Sequence, residues 1–202
     1  MTHVQQPANP SHAKIYLVRH GETEWSLSGQ HTGRTDVALT ARGEDEARSL
    51  EPALRAIRLD HVLTSPAQRA RQTCTLAGLG QAAEIEPDLA EWDYGDYEGR
   101  LSVDIRKERP GWTVYRDGCP GGETADDVSS RADRLITRLR SLSGNIVVFS
   151  HGQFCCSLAV RWIGLPVVNG QHFQLGTASF SVLAFNPSHP GVPVIAHWNS
   201  SP

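Results

Sequence analysis

The sequence predicts an α/β fold with three layers (α/β/α), in which helices cover both faces of a mainly parallel central sheet. Short apolar runs alternate with segments of helical composition along the chain, and this alternation is typical of βαβ units. Two of the apolar runs, at residues 15–18 and 146–149, lead into short polar segments that contain a His-Gly pair. Open α/β sheets place their ligands at the carboxyl ends of such strands. We therefore expect both histidines at one edge of the sheet, under a short cap.

Length and charge restrict the classes of protein that this chain can be. Its 202 residues suit one domain with a sizeable core, and 39% hydrophobic and 20% charged residues are ordinary for a globular protein. The net charge of −3 provides no basic field for nucleic acid or membrane headgroups. We expect neither as a partner, so a bound anion must be attracted by a few local arginines. The oligomeric state stays open.

The N-terminal segment and the cysteines predict a cytoplasmic protein. Residues 1–13 are polar and contain two prolines, so they lack the apolar centre of an export signal and predict a flexible tail before a single domain at 14–202. No apolar run approaches the length of a membrane span. The cysteines have no metal-like spacing, and the adjacent Cys155 and Cys156 are expected to be packed thiols.

The first half of the chain predicts three strands and two helices. Thr40 is a good N-cap for the first helix, and Pro52 is expected to end or kink it. Pro66 stands at a favoured first-turn position of the second helix. The predicted elements are a strand at 15–18, a loop at 27–38, a helix at 41–50, a strand at 61–64, a helix at 67–77 and a strand at 83–86.

The second half predicts the cap and the remainder of the sheet. Residues 88–122 combine several aromatic residues with glycines and charges, which indicates a loop-rich cap with one short helix near 103–108. Apolar residues at helical spacing predict the longest helix at 124–142. The elements that follow are a strand at 146–149, a helix at 154–163 and a pair of strands at 179–185 and 192–198.

The first His-Gly pair favours phosphoryl chemistry over metal chemistry. A histidine can be a base, a metal ligand, a nucleophile or a core residue, but Arg19 directly precedes His20, and a second pair is present at His151. Arginines repel a metal cation, whereas a guanidinium offers paired donors to phosphoryl oxygens. We expect no metal and no cofactor.

Two further segments supply a cation and an acid. Arg69 falls on the opening turn of a predicted helix, where backbone N–H groups also favour an anion, whereas Arg71 is interpreted as a solvated arginine. An acid among aromatic neighbours could protonate a leaving oxygen near neutral pH. The residues alone leave this role open among Glu91, Asp93, Asp96 and Glu98.

Four segments, in the same order, resemble the motifs of the histidine phosphatase superfamily, the phosphoglycerate-mutase-like enzymes. Together they cover residues 14 to about 160, and their joint occurrence is far more specific than any one of them. The segments are Arg19-His20-Gly21-Glu22-Thr23, Ser65-Pro66 with Arg69-Ala70-Arg71-Gln72-Thr73, Glu91 with Tyr94-Gly95 and Glu98-Gly99, and Ser150-His151-Gly152.

The resemblance implies a role for each matching residue. His20 would be the nucleophile that becomes phosphohistidine, and Glu91 would be the proton donor. The non-bridging oxygens would be held by Arg19, Arg69 and His151. The surrounding sequence is similar to a subgroup of sugar bisphosphatases and broad acid phosphatases, which implies further phosphate contacts at Ser26, Thr32, Gly33 and Gly152. Ser26 stands where many members carry Asn, and its shorter side chain puts that contact in question.

The resemblance implies hydrolysis of small phosphorylated metabolites, such as sugar phosphates or bisphosphates. Two alternatives are a cofactor-dependent phosphoglycerate mutase and a non-catalytic phosphoester-binding protein. Only about twenty residues separate Gly99 from Gly121, a shorter cover than the mutases carry, although this stretch is rich in basic residues. His31 lies beside the proposed phosphate loop, whereas His61, His172, His189 and His197 are interpreted as loop or surface residues.

Overall fold

A computed structural model describes residues 14–201, so the predicted tail at 1–13 lies outside the described residues. A six-stranded sheet has the order β3-β2-β4-β1-β5-β6. The first four of these are mutually parallel, and β5 and β6 extend the sheet antiparallel at one edge. The strands are β1 (Ile15–Arg19), β2 (His61–Thr64), β3 (Ala83–Ile85), β4 (Ile146–Ser150), β5 (Phe180–Phe185) and β6 (Pro193–Ser200).

Helices pack on both faces of the sheet, which confirms the predicted α/β/α layers. Short 3-10 turns lie at Gly80–Ala82, Pro87–Leu89, Gly95–Tyr97 and Val167–His172. The α-helices are α1 (Glu24–Ser28), α2 (Ala41–Ser49), α3 (Glu51–Arg55), α4 (Gln68–Leu76), α5 (Ser102–Glu108), α6 (Val114–Asp117), α7 (Ala125–Ser141) and α8 (Gly152–Trp162).

The central strands are apolar throughout because both of their faces are covered. In β1, Ile15 and Leu17 belong to a core that also contains buried residues of α7 and α8. The intervening Tyr16 and Val18 point to the opposite face and join buried residues of α3 and α4. Strand β4 alternates in the same way and is buried along its whole length. A strand buried on both faces is expected to lack polar alternation, which explains the two apolar runs.

Local capping fixes two helix starts in the first part of the chain and accounts for one difference from prediction. The Thr40 side chain accepts from the Gly43 N–H, as expected of an N-cap, and the predicted helix divides near Pro52 into α2 and α3. The predicted loop at 27–38 overlaps α1, which a reciprocal cap between Thr23 and Ser26 stabilises. Helix α6, within the cap, was not predicted, because four residues are too few to show a period.

A close crossing of two backbones fixes the segment after β1. A Cβ atom on Gly43 would overlap the Glu22 carbonyl oxygen and lie 2.7 Å from the Glu22 nitrogen. A Cβ atom on Gly21 would likewise overlap the Gly43 carbonyl oxygen. Both positions therefore require glycine, because any side chain would push the segment that carries His20 away from α2.

Candidate active site

The structure brings the two predicted histidines together. Strands β1 and β4 are parallel neighbours in which Arg19 is paired with Ser150, so the next residues, His20 and His151, leave the sheet side by side. Their ring centroids are 5.2 Å apart. This juxtaposition follows directly from the strand register.

His20 is held as a neutral imidazole with a defined tautomer. Its Nδ1 lies 2.7 Å from the Gly21 carbonyl oxygen. Because a carbonyl oxygen only accepts hydrogen bonds, Nδ1 carries the proton and Nε2 keeps its lone pair. Burial lowers the pKa of His20 well below its ordinary value, and the charges of Arg19 and Arg69 lower it further. A neutral ring with a free Nε2 is the form that can attack phosphorus.

Arg69 and His151 form a buried pair beneath the site. The Arg69 Nε donates to His151 Nδ1 over 3.1 Å. The remaining His151 nitrogen, Nε2, therefore carries the proton and lies 2.7 Å from the Ser65 hydroxyl. The other Arg69 N–H groups donate to the carbonyl oxygens of Thr32, Gly33 and Thr35.

These bonds place Arg69 and His151 under the cavity floor, although the sequence implies that they touch the phosphate. Arg69 is fully buried, and both ring nitrogens of His151 have protein partners. A phosphoryl oxygen could reach His151 only by replacing one of these bonds. In this arrangement Arg69 orients the loop at 32–35, and its positive charge helps to lower the pKa of His20, whereas His151 is bonded to Arg69 and Ser65.

Arg19 supplies the cation at the cavity itself. One terminal nitrogen donates to the Leu175 carbonyl oxygen over 2.5 Å. Its Nε is buried and finds no hydrogen-bond partner within residues 14–201. A Cβ atom on Gly152 would lie 3.3 Å from that Nε, so glycine lets the guanidinium lie against the start of α8. A buried, unpaired N–H beside His20 is a donor suited to an anionic oxygen.

Glu91 sits at the amino end of α8, which explains how a carboxyl group is accommodated there. Its Oε1 accepts from the N–H groups of Trp92 and Phe154 at 2.9 and 2.8 Å, and its Oε2 accepts from Gln153 at 3.0 Å. Burial raises the pKa of Glu91, and the backbone N–H groups oppose that shift. A carboxyl group with a raised pKa, facing the same cavity as His20, is suited to proton transfer.

The other acids have different partners. Asp93 pairs with Arg34 at 2.7 Å, and Asp96 is exposed. Glu98 accepts from the N–H groups of Gly33 and Thr35. Of the four acids left open by the residues alone, Glu91 is the one that lines the cavity beside His20.

A buried ion pair holds the segment that carries Glu91. The Arg131 guanidinium donates to both carboxylate oxygens of Glu123, at 2.9 and 2.8 Å. It also donates to the carbonyl oxygens of Asp88, Ala90 and Glu91. Arg131 and Glu123 therefore clamp the backbone on either side of the carboxyl group. The sequence analysis did not identify this pair.

The four further residues predicted to contact phosphate differ in whether they line the cavity. Ser26 and Thr32 line the cavity, but the Ser26 hydroxyl already accepts from the Thr23 N–H and donates to its carbonyl oxygen. Gly152 also lines the cavity, and its phosphate contact stays a prediction. The assignment of the Gly33 N–H does not fit this geometry, because it donates to Glu98 over 2.7 Å and Gly33 lines a neighbouring cavity.

The cavity around His20 has a volume of about 570 Å³ and a wall from two regions of the chain. The cap side includes Tyr94 and Ser102, together with Trp25 from α1. The opposite side is formed by residues 173–176 and Asn199, which sequence reasoning missed. This segment contacts Arg19 through its backbone, because the Leu175 carbonyl oxygen accepts a hydrogen bond from that residue. The sequence does not reveal such a contact.

His31 lies in the wall, whereas the four histidines interpreted as loop or surface residues lie at or near the surface; they are His61, His172, His189 and His197. The His31 ring stacks on Tyr94 with centroids 4.4 Å apart, and its Nε2 lies 3.0 Å from the Ser102 hydroxyl. Burial lowers its pKa to about 4, so the ring is neutral at neutral pH.

Cys155 and Cys156 are buried thiols whose pKa values burial raises, as the packing interpretation requires.

The fold places two histidines, an arginine-rich floor and a buried carboxyl group at one edge of a mainly parallel sheet. Comparison with known families identifies the class of protein. The profile of the histidine phosphatase superfamily (branch 1) matches residues 15–200, and the chain belongs to that superfamily.

Individual relatives support a phosphatase within this superfamily. The chain is 42% identical to an acid phosphatase of Mycobacterium tuberculosis over 85% of its own length and 86% of that protein. It is 39% identical to a sedoheptulose 1,7-bisphosphatase of Saccharomyces cerevisiae over 76% of its length and 69% of that protein. A solved structure of a Mycobacterium tuberculosis open reading frame superimposes with a TM-score of 0.87 at 37% identity, covering 94% of this chain and 98% of the other. Within the described part of the chain, no helix is long and apolar enough to cross a membrane.

Proposed function

We propose that this protein is a phosphomonoesterase that hydrolyses small phosphorylated metabolites, such as sugar phosphates, through a phosphohistidine at His20. The observation that carries the proposal is the His20 tautomer. The hydrogen bond from Nδ1 to Gly21 leaves the Nε2 lone pair free in a cavity that also exposes Arg19 and Glu91. Nucleophile, cation and acid are the parts that two-step phosphoryl transfer needs.

In the first step, the His20 Nε2 lone pair forms a bond to phosphorus as the bond from phosphorus to the leaving oxygen breaks. Protonated Glu91 gives its proton to that oxygen, so the alcohol leaves neutral. The modified ring keeps its Nδ1 proton and is positively charged, and the Gly21 carbonyl oxygen stabilises that charge through the existing hydrogen bond. Arg19 stabilises negative charge on the transferring group.

In the second step, water attacks the phosphohistidine. The water oxygen forms a bond to phosphorus as the bond from phosphorus to Nε2 breaks, and Glu91 takes a proton from the water. His20 returns to its neutral form and Glu91 to its protonated form. The positive charge that the reaction needs comes from arginine side chains, which supports a mechanism without a metal ion.

A cytoplasmic location and a small-molecule partner belong to the same proposal. The four cysteines are free and buried, which suits a reducing compartment. The cavity is of a size that encloses a metabolite.

The test is release of inorganic phosphate from a metabolite panel in the presence of EDTA, with His20→Ala as the control. We expect release from at least one sugar phosphate and from p-nitrophenyl phosphate, and no turnover by the variant. Samples of the native protein that are denatured in detergent at alkaline pH should contain a phosphoenzyme, and later acid treatment should hydrolyse it. Full turnover by His20→Ala, or activity that EDTA abolishes, would contradict the mechanism. Conversion of 3- to 2-phosphoglycerate without phosphate release would instead make the protein a mutase.

A further inference from the structure

The charge of the cavity wall limits which substrates it can hold. Of the residues that line it, Arg19 is the one with a permanent positive charge, and the reacting phosphate requires that residue. Glu91 is an acid that lines the same cavity. A second phosphate, or a carboxylate, on the substrate would therefore enter without a cation to pair with it.

The cap is rich in basic residues, but each of them already has a partner within the protein. Arg100 pairs with Glu108 at 2.5 Å, and Arg116 pairs with Asp117 at 2.9 Å. The other three cap cations also have partners, and none of the five lines the cavity. Arg106 donates to the Trp112 carbonyl oxygen, Arg109 donates to the Tyr97 hydroxyl, and Lys107 pairs with Asp104.

His31 does not supply the missing charge either. Its ring stacks on Tyr94 and lies edge-on to Trp112, with centroids 5.5 Å apart. Burial and the nearby Arg106 keep this ring neutral at neutral pH, since its pKa is about 4. It presents a flat face and a hydrogen-bonding edge, and no cation.

The rest of the wall suits a neutral body that carries hydroxyl groups. Ser102 and Thr32 offer hydroxyls, and Gln174 offers an amide at an exposed edge. The ring of Trp25 packs on Gly99 and faces the cavity, so its surface is available to the apolar side of a sugar. Polar edges with flat apolar faces match the surface of a sugar or polyol.

We propose that the site is selective for monophosphate esters of neutral, hydroxyl-bearing molecules and discriminates against substrates with a second phosphate. This inference rests on the proposed function and narrows it. Discrimination arises because a second dianion would lose its hydration in the cavity without gaining a cationic partner, and would be repelled by Glu91 when that carboxyl is ionised.

The first experiment measures binding separately from turnover. Calorimetry with His20→Ala compares fructose 6-phosphate with fructose 1,6-bisphosphate, which share one phosphoester position. We expect the bisphosphate to bind about tenfold more weakly, because its second phosphate finds no cation in the cavity and has the same sign of charge as ionised Glu91. The same order should hold for kcat/KM of the native protein. Equal or tighter binding of the bisphosphate would overturn the inference, even if the protein proves to be a phosphatase. Loss of all turnover with the binding preference intact would instead refute the proposed function.

The second experiment adds the absent charge. Gln174→Lys places a cation at the cavity edge, and Gln174→Met is the matched control of similar length without charge. We expect the lysine variant to raise the ratio of bisphosphate to monophosphate kcat/KM by about tenfold, and the methionine variant to leave that ratio near its native value. An unchanged ratio in Gln174→Lys would show that cavity charge does not set the preference.

Discussion

Replacing Arg131 with methionine should both destabilise the protein and impair the acid step. The side chain is only 9% exposed, and its removal takes away the cation that pairs with Glu123 and the donor to the carbonyl oxygens of Asp88, Ala90 and Glu91. Breaking a buried pair in this way costs about 3–5 kcal/mol. For a chain of this length each kcal/mol lowers Tm by about 2–4 °C, so we expect a decrease of roughly 6–20 °C.

Arg134→Met is the matched control. Arg134 is on the same helix and pairs with Asp88 of the same segment, but its side chain is 62% exposed. An exposed pair contributes about 0–1 kcal/mol, so this variant should lose at most about 4 °C. Tm is measured by differential scanning calorimetry.

The activity of Arg131→Met separates positioning from simple loss of stability. At a temperature where the variant is fully folded, kcat for an alkyl phosphate should fall more than kcat for p-nitrophenyl phosphate, because only the alkyl leaving group needs the Glu91 proton. If Arg131→Met matches Arg134→Met in Tm and in the ratio of the two kcat values, the clamp has no role and the reasoning is refuted.

Four further predictions concern the acid, the two limbs of the pH profile and the backbone crossing. Glu91→Gln should lower kcat by about 10²–10⁴ for an alkyl phosphate and far less for p-nitrophenyl phosphate, and equal losses on both would remove Glu91 from the acid role. In the native protein the alkyl phosphate rate should fall as pH rises through the raised pKa of Glu91, because the proton to be donated is then lost, and Glu91→Gln should abolish that limb of the profile. As pH falls, the rate should begin to decline only below about 6.5, the ordinary pKa of histidine, because the lowered pKa of His20 keeps its ring neutral to lower pH. A decline that begins above that pH would contradict the burial and positive surroundings assigned to His20. Gly43→Ala should destabilise by about 1–3 kcal/mol or more and reduce activity, because the new methyl group overlaps Glu22, and a variant with native Tm and kcat would show that the crossing relaxes freely.

The sequence could predict the strand-end histidines because two continuous apolar runs place them at the carboxyl ends of parallel strands. Apolar runs buried on both faces mark β1 and β4, and the residues that follow them have only one edge of the sheet to occupy. Glu91 could not be selected from its acidic neighbours by residue type, because what distinguishes it is contact with the first N–H groups of α8.

Several of the remaining misses involve main-chain groups, which side-chain patterns do not reveal. Leu175 contributes a carbonyl oxygen to Arg19, and nothing in its side chain indicates this. The Gly33 N–H is engaged by Glu98, a pairing between residues far apart in the chain. The need for glycine at position 43 likewise comes from a tertiary crossing, although a glycine inside a helix is a signal of close approach.

The division of the cavity into floor and wall has a consequence for how such a protein can diversify. His20 and Glu91 depend on strand ends and a helix start within the central core, whereas Trp25, Ser102 and Gln174 depend on α1, the cap and the segment before β5. Substitutions in the second group can alter which molecule is accepted while the reacting groups keep their geometry. A library of variants confined to the wall residues should therefore yield new substrate preferences with little loss of stability. Substitutions of the floor residues should instead yield inactive protein.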